Sequence, residues 1–151
     1  MLLIGIRLGC PAAEAPLALR PDRVDAAVQA GAGYLVRAQL PDGMIQEKDK
    51  RENHGVAMTA LALMGLASVG HQPADKTTEG EAMRKAVAFL LRPEVQMANG
   101  YFGQKDGSRM YGHGIVTLAL TELLGMGVDK AQDGILRERA QRGVKIGRAH
   151  V

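Results

Sequence analysis

The sequence predicts an all-α fold built from stacked helix pairs, and three observations lead there. Aromatic residues make up only 3% of the chain and Trp is absent, so Ala, Leu, Met and Gly must fill the interior, which suits close helix packing better than a β-sandwich. Apolar residues recur at spacings of three and four, or cover nearly every face of a segment, as helices do. The order amphipathic helix, turn, loop, apolar helix is written twice. "AVQAG" aligns with "AMRKA" at an offset of 55, and the "HG" at His54 with the "HG" at His113 at an offset of 59. "RAQRG" opens a third copy in which Gly143 matches Ala86 and Gly31. A period of that length with two helices per unit is a repeat architecture, in which neither helix pair buries its apolar member alone.

The first helix is "RPDRVDAAVQAGAGYLVRAQ", with Pro21 in its first turn and Asp22 near the positive end of its dipole. Val24, Val28, Gly31, Leu35 and Ala38 form its apolar stripe. "LPDG" breaks it through Pro41 and Gly43. "MIQEKDKREN" is a polar loop whose Asn53 can cap the second helix, "HGVAMTALALMGLASVG". That segment is apolar on nearly every face, so it is expected to be buried all round, with Gly70 ending it. Thr78 and Glu81 have the spacing of a capping box and open the third helix, "EGEAMRKAVAFLL", which Pro93 stops. Its inner stripe is Met83, Ala86, Val87, Leu90 and Leu91, with Arg84 and Lys85 outside. A glycine-rich loop, "NGYFGQKDGSRMYGHG", leads to the fourth helix, "IVTLALTELLGMG", again apolar on most faces. Asp129 and Gln132 are placed to cap a fifth, "ILRERAQRGVK".

Composition narrows the function classes. A chain of 151 residues with 46% hydrophobic and 23% charged residues can bury one real core and is not disordered. Its net charge of +3 is spread among acids, with no basic stripe interleaved with aromatics, so nucleic-acid binding has no support. The single cysteine, Cys10, allows no internal disulfide and no multi-cysteine metal site. The longest apolar run, Val56–Val69, is interrupted by Thr59 and Ser68 and falls short of the roughly 20 residues that span a membrane.

The two ends differ from the middle. Residues 1–15, "MLLIGIRLGCPAAEA", carry a short apolar run and an A-x-A pattern at Ala13–Ala15, as an export signal does, although Arg7 interrupts the run and the basic start is missing. This predicts a periplasmic or secreted protein, with the cytoplasm left open. Residues 146–151, "IGRAHV", back-translate to ATC GGA AGA GCA CAC GTC, the start of a common sequencing-library adaptor. The expectation is a gene read that ran into adaptor after Lys145, and the codons of the nucleotide record test it. No function is assigned to His150.

One phrase recurs in register with the helices. Gly31-x-x-Tyr34-Leu35-x-x-x-Gln39-x-x-x-Gly43-x-Ile45 is followed by Phe89-Leu90 and then Gln96-x-x-x-Gly100-x-Phe102. An insertion around Pro93 lengthens the second copy. The phrase resembles the QW motif of the squalene–hopene cyclase and prenyltransferase repeat family, with Ile45 and Phe102 in place of its Trp. The likeness covers roughly residues 21–145. Gly permits a turn with positive φ, and the Gln amide can satisfy open backbone groups at a helix end. In the resembled family this clamp ties neighbouring outer helices together, so Gln39, Gly43, Ile45, Gln96, Gly100 and Phe102 are expected to be structural. The resemblance implies an (α/α) toroid of the terpenoid cyclase and protein prenyltransferase kind, with outer amphipathic helices around inner apolar ones and an apolar central cavity. This chain would be an arc of two pairs and the start of a third.

The family's chemistries lack their residues here. The DxDD motif that protonates an alkene in squalene–hopene cyclases is absent, and the zinc set of protein prenyltransferases has no cysteine beyond the leader. No cofactor or metal is expected. The candidate catalytic groups are Glu122, the only charge in the fourth helix, and His54 and His113, each placed just before an inner helix. A carboxyl in an apolar cavity could act as an acid, but the plainer reading puts Glu122 at a wet rim and the two histidines in helix ends or loop packing. Asp106, Ser108 and His113 share a loop without the elements of a catalytic triad. Tyr101, Phe102 and Tyr111 are candidates for contact with an apolar ligand. The eight Met residues are read as core filling. Two functions follow: a non-catalytic exported binding or scaffold protein, which the degenerate motif favours, or a cyclase-like enzyme acting on a polyisoprenoid with its acid motif outside this chain. The expected partner is an apolar, isoprenoid-type ligand or another protein.

Overall fold

The computed structural model describes residues 22–45, 54–127 and 129–149. The leader with Cys10, Pro21, the charged loop 46–53 with its proposed cap Asn53, and residues 150–151 lie outside them. The fold is all-α: α1 (Arg23–Ala38), α2 (Gly55–Ser68), α3 (Thr78–Leu90), α4 (Arg109–Glu122) and α5 (Lys130–Ala149). No sheet exists among the described residues, where one antiparallel backbone pair, Gln39 with Ile45, closes a turn. α2 packs against α1, α3 and α4, and α4 packs against α5. The apolar helices α2 and α4 therefore form one layer and the amphipathic α1, α3 and α5 another, a repeat-like arrangement.

Local chemistry sets the helix ends. Asp22 caps α1 by accepting from the N–H groups of Val24 at 2.7 Å and Asp25 at 2.9 Å, while Asp25 accepts from the Asp22 N–H in return. α2 ends in a left-handed Gly70, φ 93°, with His71 N–H bonded to Leu66 O and Gly70 N–H to Ala67 O. These two bonds satisfy carbonyls that the helix leaves open. The cap of α3 is Thr77, not Thr78: its hydroxyl accepts from Gly80 N–H at 3.1 Å, and Glu81 turns outward to Lys85 at 2.8 Å. Asp129 accepts from Gln132 N–H at 2.8 Å at the start of α5.

The core lies between the layers, around Leu63, Met83, Leu90, Phe102, Val116, Leu120 and Leu136. The expected stripe of α3 is buried, with Leu91 at its edge. The expected stripe of α1 is not: Val24 is 66% exposed, Val28 and Gly31 are open, Leu35 is half-buried and Ala32 alone is fully covered. The reason is placement, since α1 has α2 and α3 on one flank and no element beyond it among the described residues. α2 likewise is not buried all round, because Leu61 stays 43% exposed. α4 begins six residues before the expected Ile115, so His113 lies inside the helix and not ahead of it.

The repeated phrase folds twice into the same turn, bond for bond. Leu40 N–H donates to Met44 O at 2.8 Å, and Met97 N–H to Tyr101 O at 2.9 Å. Asp42 and Asn99 each accept from the N–H two residues on. The Gln39 Nε2 donates to Gly43 O at 3.0 Å and to Ala82 O, on α3, at 2.9 Å. The Gln96 Nε2 donates to Gly100 O at 2.9 Å and to Arg139 O, on α5, at 3.0 Å. In both copies the acceptors stand 4 and 43 residues after the Gln. Gly43, at φ 93°, brings its backbone so close to the next outer helix that a Cβ would sit 2.2 Å from Lys85 O. Arginines from the next unit reach the same turns, Arg92 to Asp42 O at 2.8 Å and Arg142 to Ala98 O at 2.7 Å.

Candidate functional site

The apolar residue that follows each turn is fixed from the inner layer. Ile45 N–H donates to the Thr59 hydroxyl at 2.8 Å, and that hydroxyl donates to Gly55 O at 2.6 Å. Phe102 N–H donates to His113 Nδ1 at 3.2 Å. Thr59 and His113 are each the fifth residue of an inner helix. His113 therefore corresponds to Thr59, and His54, the residue before α2, corresponds to Ser108 before α4. The matched "HG" pairs of the sequence are not structural equivalents, because the connecting loops differ in length. Thr59, Gln96 and His113 are the buried polar side chains among the described residues, and all three serve the repeated turns.

The N-termini of α2 and α4 lie side by side, joined by one carboxylate. Asp106 Oδ2 accepts from the N–H groups of Val56 and Ala57, each at 3.1 Å, and so caps α2 from 50 residues away. Its Oδ1 accepts from Ser108 N–H at 3.0 Å and from the Ser108 hydroxyl at 2.5 Å. Asp106 O lies 2.9 Å from His54 Nδ1. Asp106, Ser108 and His113 do not assemble a triad: Ser108 meets the carboxylate directly, and Nδ1 of His113 is taken by a backbone N–H. His54 and Asp106 are thus parts of a joint between two helix starts.

Between α2 and α4 runs an open groove of about 530 Å³. Ala57, Met58 and Leu61 form one wall and Met110, Tyr111 and Ile115 the other, with His54, Ser108 and Arg109 at the N-terminal end. At its base Gly112 leaves room for the Ser108 side chain, which a Cβ there would overlap. No carboxylate is among the described lining residues of the groove. Its size and apolar walls are those of a small-molecule cleft. Arg109 begins α4 at φ 53°, a left-handed conformation that is unfavourable for a side chain larger than Gly. It is held by its N–H, which donates to Gly103 O at 2.9 Å, and by close backbone packing on Gly103.

The remaining candidates scatter. Glu122 is exposed at the last turn of α4, about 20 Å along the helix from the polar end of the groove. It is not among the residues that line the groove. Phe102 is fully buried and fills the core, so it cannot meet a ligand. Tyr101 stacks on His113 with ring centroids 5.1 Å apart. Tyr111 alone of the three aromatics lines the groove, where it is 86% exposed. Sequence reasoning missed Thr59 and Arg109, and it weighed Asp106 only as a member of a triad and not as the cap of α2. A lone hydroxyl in an otherwise apolar helix was a usable signal for Thr59, since a buried polar group needs a partner; neither of the others carried one.

Among the described residues no helix is long and apolar enough to cross a membrane, and no three His, Cys, Asp or Glu residues are grouped to hold a metal. Comparison of the chain with protein-family models, curated proteins and solved structures finds no match.

Proposed function

We propose that this chain is an arc of an (α/α) toroid and that it binds an elongated apolar ligand, of isoprenoid type, in the groove between α2 and α4, without acting on it chemically. The observation that carries this reading is the groove itself. Met58, Leu61, Tyr111 and Ile115 present apolar surface on the open side of two parallel inner helices, where a closed repeat ring would have its cavity. Apolar surface of this kind costs free energy in water unless a ligand or partner covers it. The twofold Gln turn supports the toroid, because each copy ties one outer unit to the next by the same two bonds. The leader-like first 15 residues support a role outside the cytoplasm.

The test is a fluorescence titration with N-phenyl-1-naphthylamine, a neutral apolar dye, followed by displacement with geranylgeraniol. Wild-type protein is expected to enhance the dye's emission and to release it to the alcohol. Leu61→Gln and Ile115→Gln, which put amides on facing walls, are expected to weaken both by several-fold while the helical circular dichroism signal stays unchanged. Dye binding that ignores both substitutions would overturn the reading.

A further inference from the structure

The groove is apolar along its walls but not at its end. At the shared N-terminal end of α2 and α4 the lining includes one permanently charged group, the exposed Arg109. Among the described residues Asp106 is already committed: its two oxygens receive four N–H and O–H donors from Val56, Ala57 and Ser108. Its charge is thereby directed into the start of α2, and no carboxylate is among the described lining residues of the groove. The bond from Arg109 N–H to Gly103 O fixes the backbone from which the guanidinium extends.

Resting on the binding role proposed above, we infer that the elongated apolar ligand of the groove carries a monoanionic head, of the long-chain carboxylate class. The tail lies along Met58, Leu61 and Ile115, and the head pairs with Arg109. Three features select this class. Apolar walls on both sides exclude a ligand that is polar along its length. A guanidinium presents a planar fork of N–H donors that matches the two oxygens of a carboxylate. Arg109 is the one permanent cation among the described lining residues, and it balances a single negative charge.

Dodecanoate and dodecanol share a tail and differ in the head, so they separate this inference from the one beneath it. Affinities are measured at neutral pH and low salt, by displacement of the same neutral dye, for the wild type and for Arg109→Gln, with helical content and melting followed in parallel. Wild type is expected to bind dodecanoate about tenfold tighter than dodecanol, the scale of one charge-assisted pair. Arg109→Gln is expected to abolish that preference and to leave dodecanol binding unchanged. Equal wild-type affinity for the two ligands would overturn the anionic head while the apolar groove stands. A preference that survives in Arg109→Gln would also overturn it, because the charge would be sensed elsewhere. If neither ligand nor the dye binds, the binding role falls and this inference falls with it.

Discussion

Gln39 and Gln96 make the same two hydrogen bonds at different depths. Gln96 is 4% exposed, whereas Gln39 is half-buried. Each amide nitrogen donates to one carbonyl of its own turn and to one carbonyl inside the next outer helix. Replacing the amide by a carboxylate keeps the shape and removes both donors. At position 96 the carbonyls of Gly100 and Arg139 would lose this donor and face a buried negative charge instead. Arg139, whose Nη1 lies 3.3 Å from Gln96 Oε1, offsets part of that. Gln96→Glu is expected to destabilise by about 2 kcal/mol, the scale of two lost buried hydrogen bonds. Gln39→Glu is expected to cost about half as much, because water can reach its turn. Urea denaturation measures both, and equal, negligible losses would mean that the amide nitrogens are not the clamp. The phrase was readable because turn and clamp are local: Gln, Gly and the apolar residue sit within a few positions of one another. Its second acceptor, 43 residues on, was not readable, since a backbone carbonyl carries no sequence mark.

At the scale of elements, the same divide separates two kinds of helix cap. Asp22, Thr77 and Asp129 accept from N–H groups two or three residues ahead, and capping residues at those ends stand out in the sequence, apart from a one-residue slip at Thr77. α2 is capped by Asp106, which belongs to another repeat, and nothing near Gly55 announces it. This cap joins the starts of two inner helices and holds the loop that ends in Arg109. Asp106→Ala is expected to destabilise by about 1–2 kcal/mol, the range of a lost N-cap. It should also accelerate hydrogen exchange at Val56 and Ala57 ahead of the rest of α2. Thr77→Ala removes a local cap from α3 and should leave those two amides protected, so the pair of variants separates a joint between repeats from an ordinary helix end. Uniform acceleration across α2 in Asp106→Ala would show that the carboxylate does not act at these N–H groups. The histidines illustrate the limit of reading by offset. His54 and His113 matched by spacing, yet one precedes its helix and the other lies within it, because the insertion near Pro93 and the unequal loops shift each part of the repeat differently.

At the scale of the molecule, the helix order and the two layers followed from periodicity, while the extent of burial did not. A stripe marks the face that a helix can bury, and burial also needs a neighbour on that side. α3 has neighbours, and its stripe disappears into the core. α1 has none on its outer flank among the described residues, so Val24 and Val28 stay open. On the inner layer Leu118 is 51% exposed, and Ile135 and Val144 are open on α5. Among the described residues α1, α5 and the open face of the inner layer therefore present apolar surface, as stacked repeats do where no neighbouring unit covers them. The purified chain is expected to self-associate as its concentration rises, or to melt with poor cooperativity, because exposed apolar surface favours association. Light scattering across a dilution series measures the first and differential scanning calorimetry the second. Val28→Gln together with Leu118→Gln should suppress association with little loss of stability, since both side chains are already partly in water and give up little packing. A wild-type chain that stays monomeric at every concentration and unfolds in one sharp transition would show that this surface is tolerated in water.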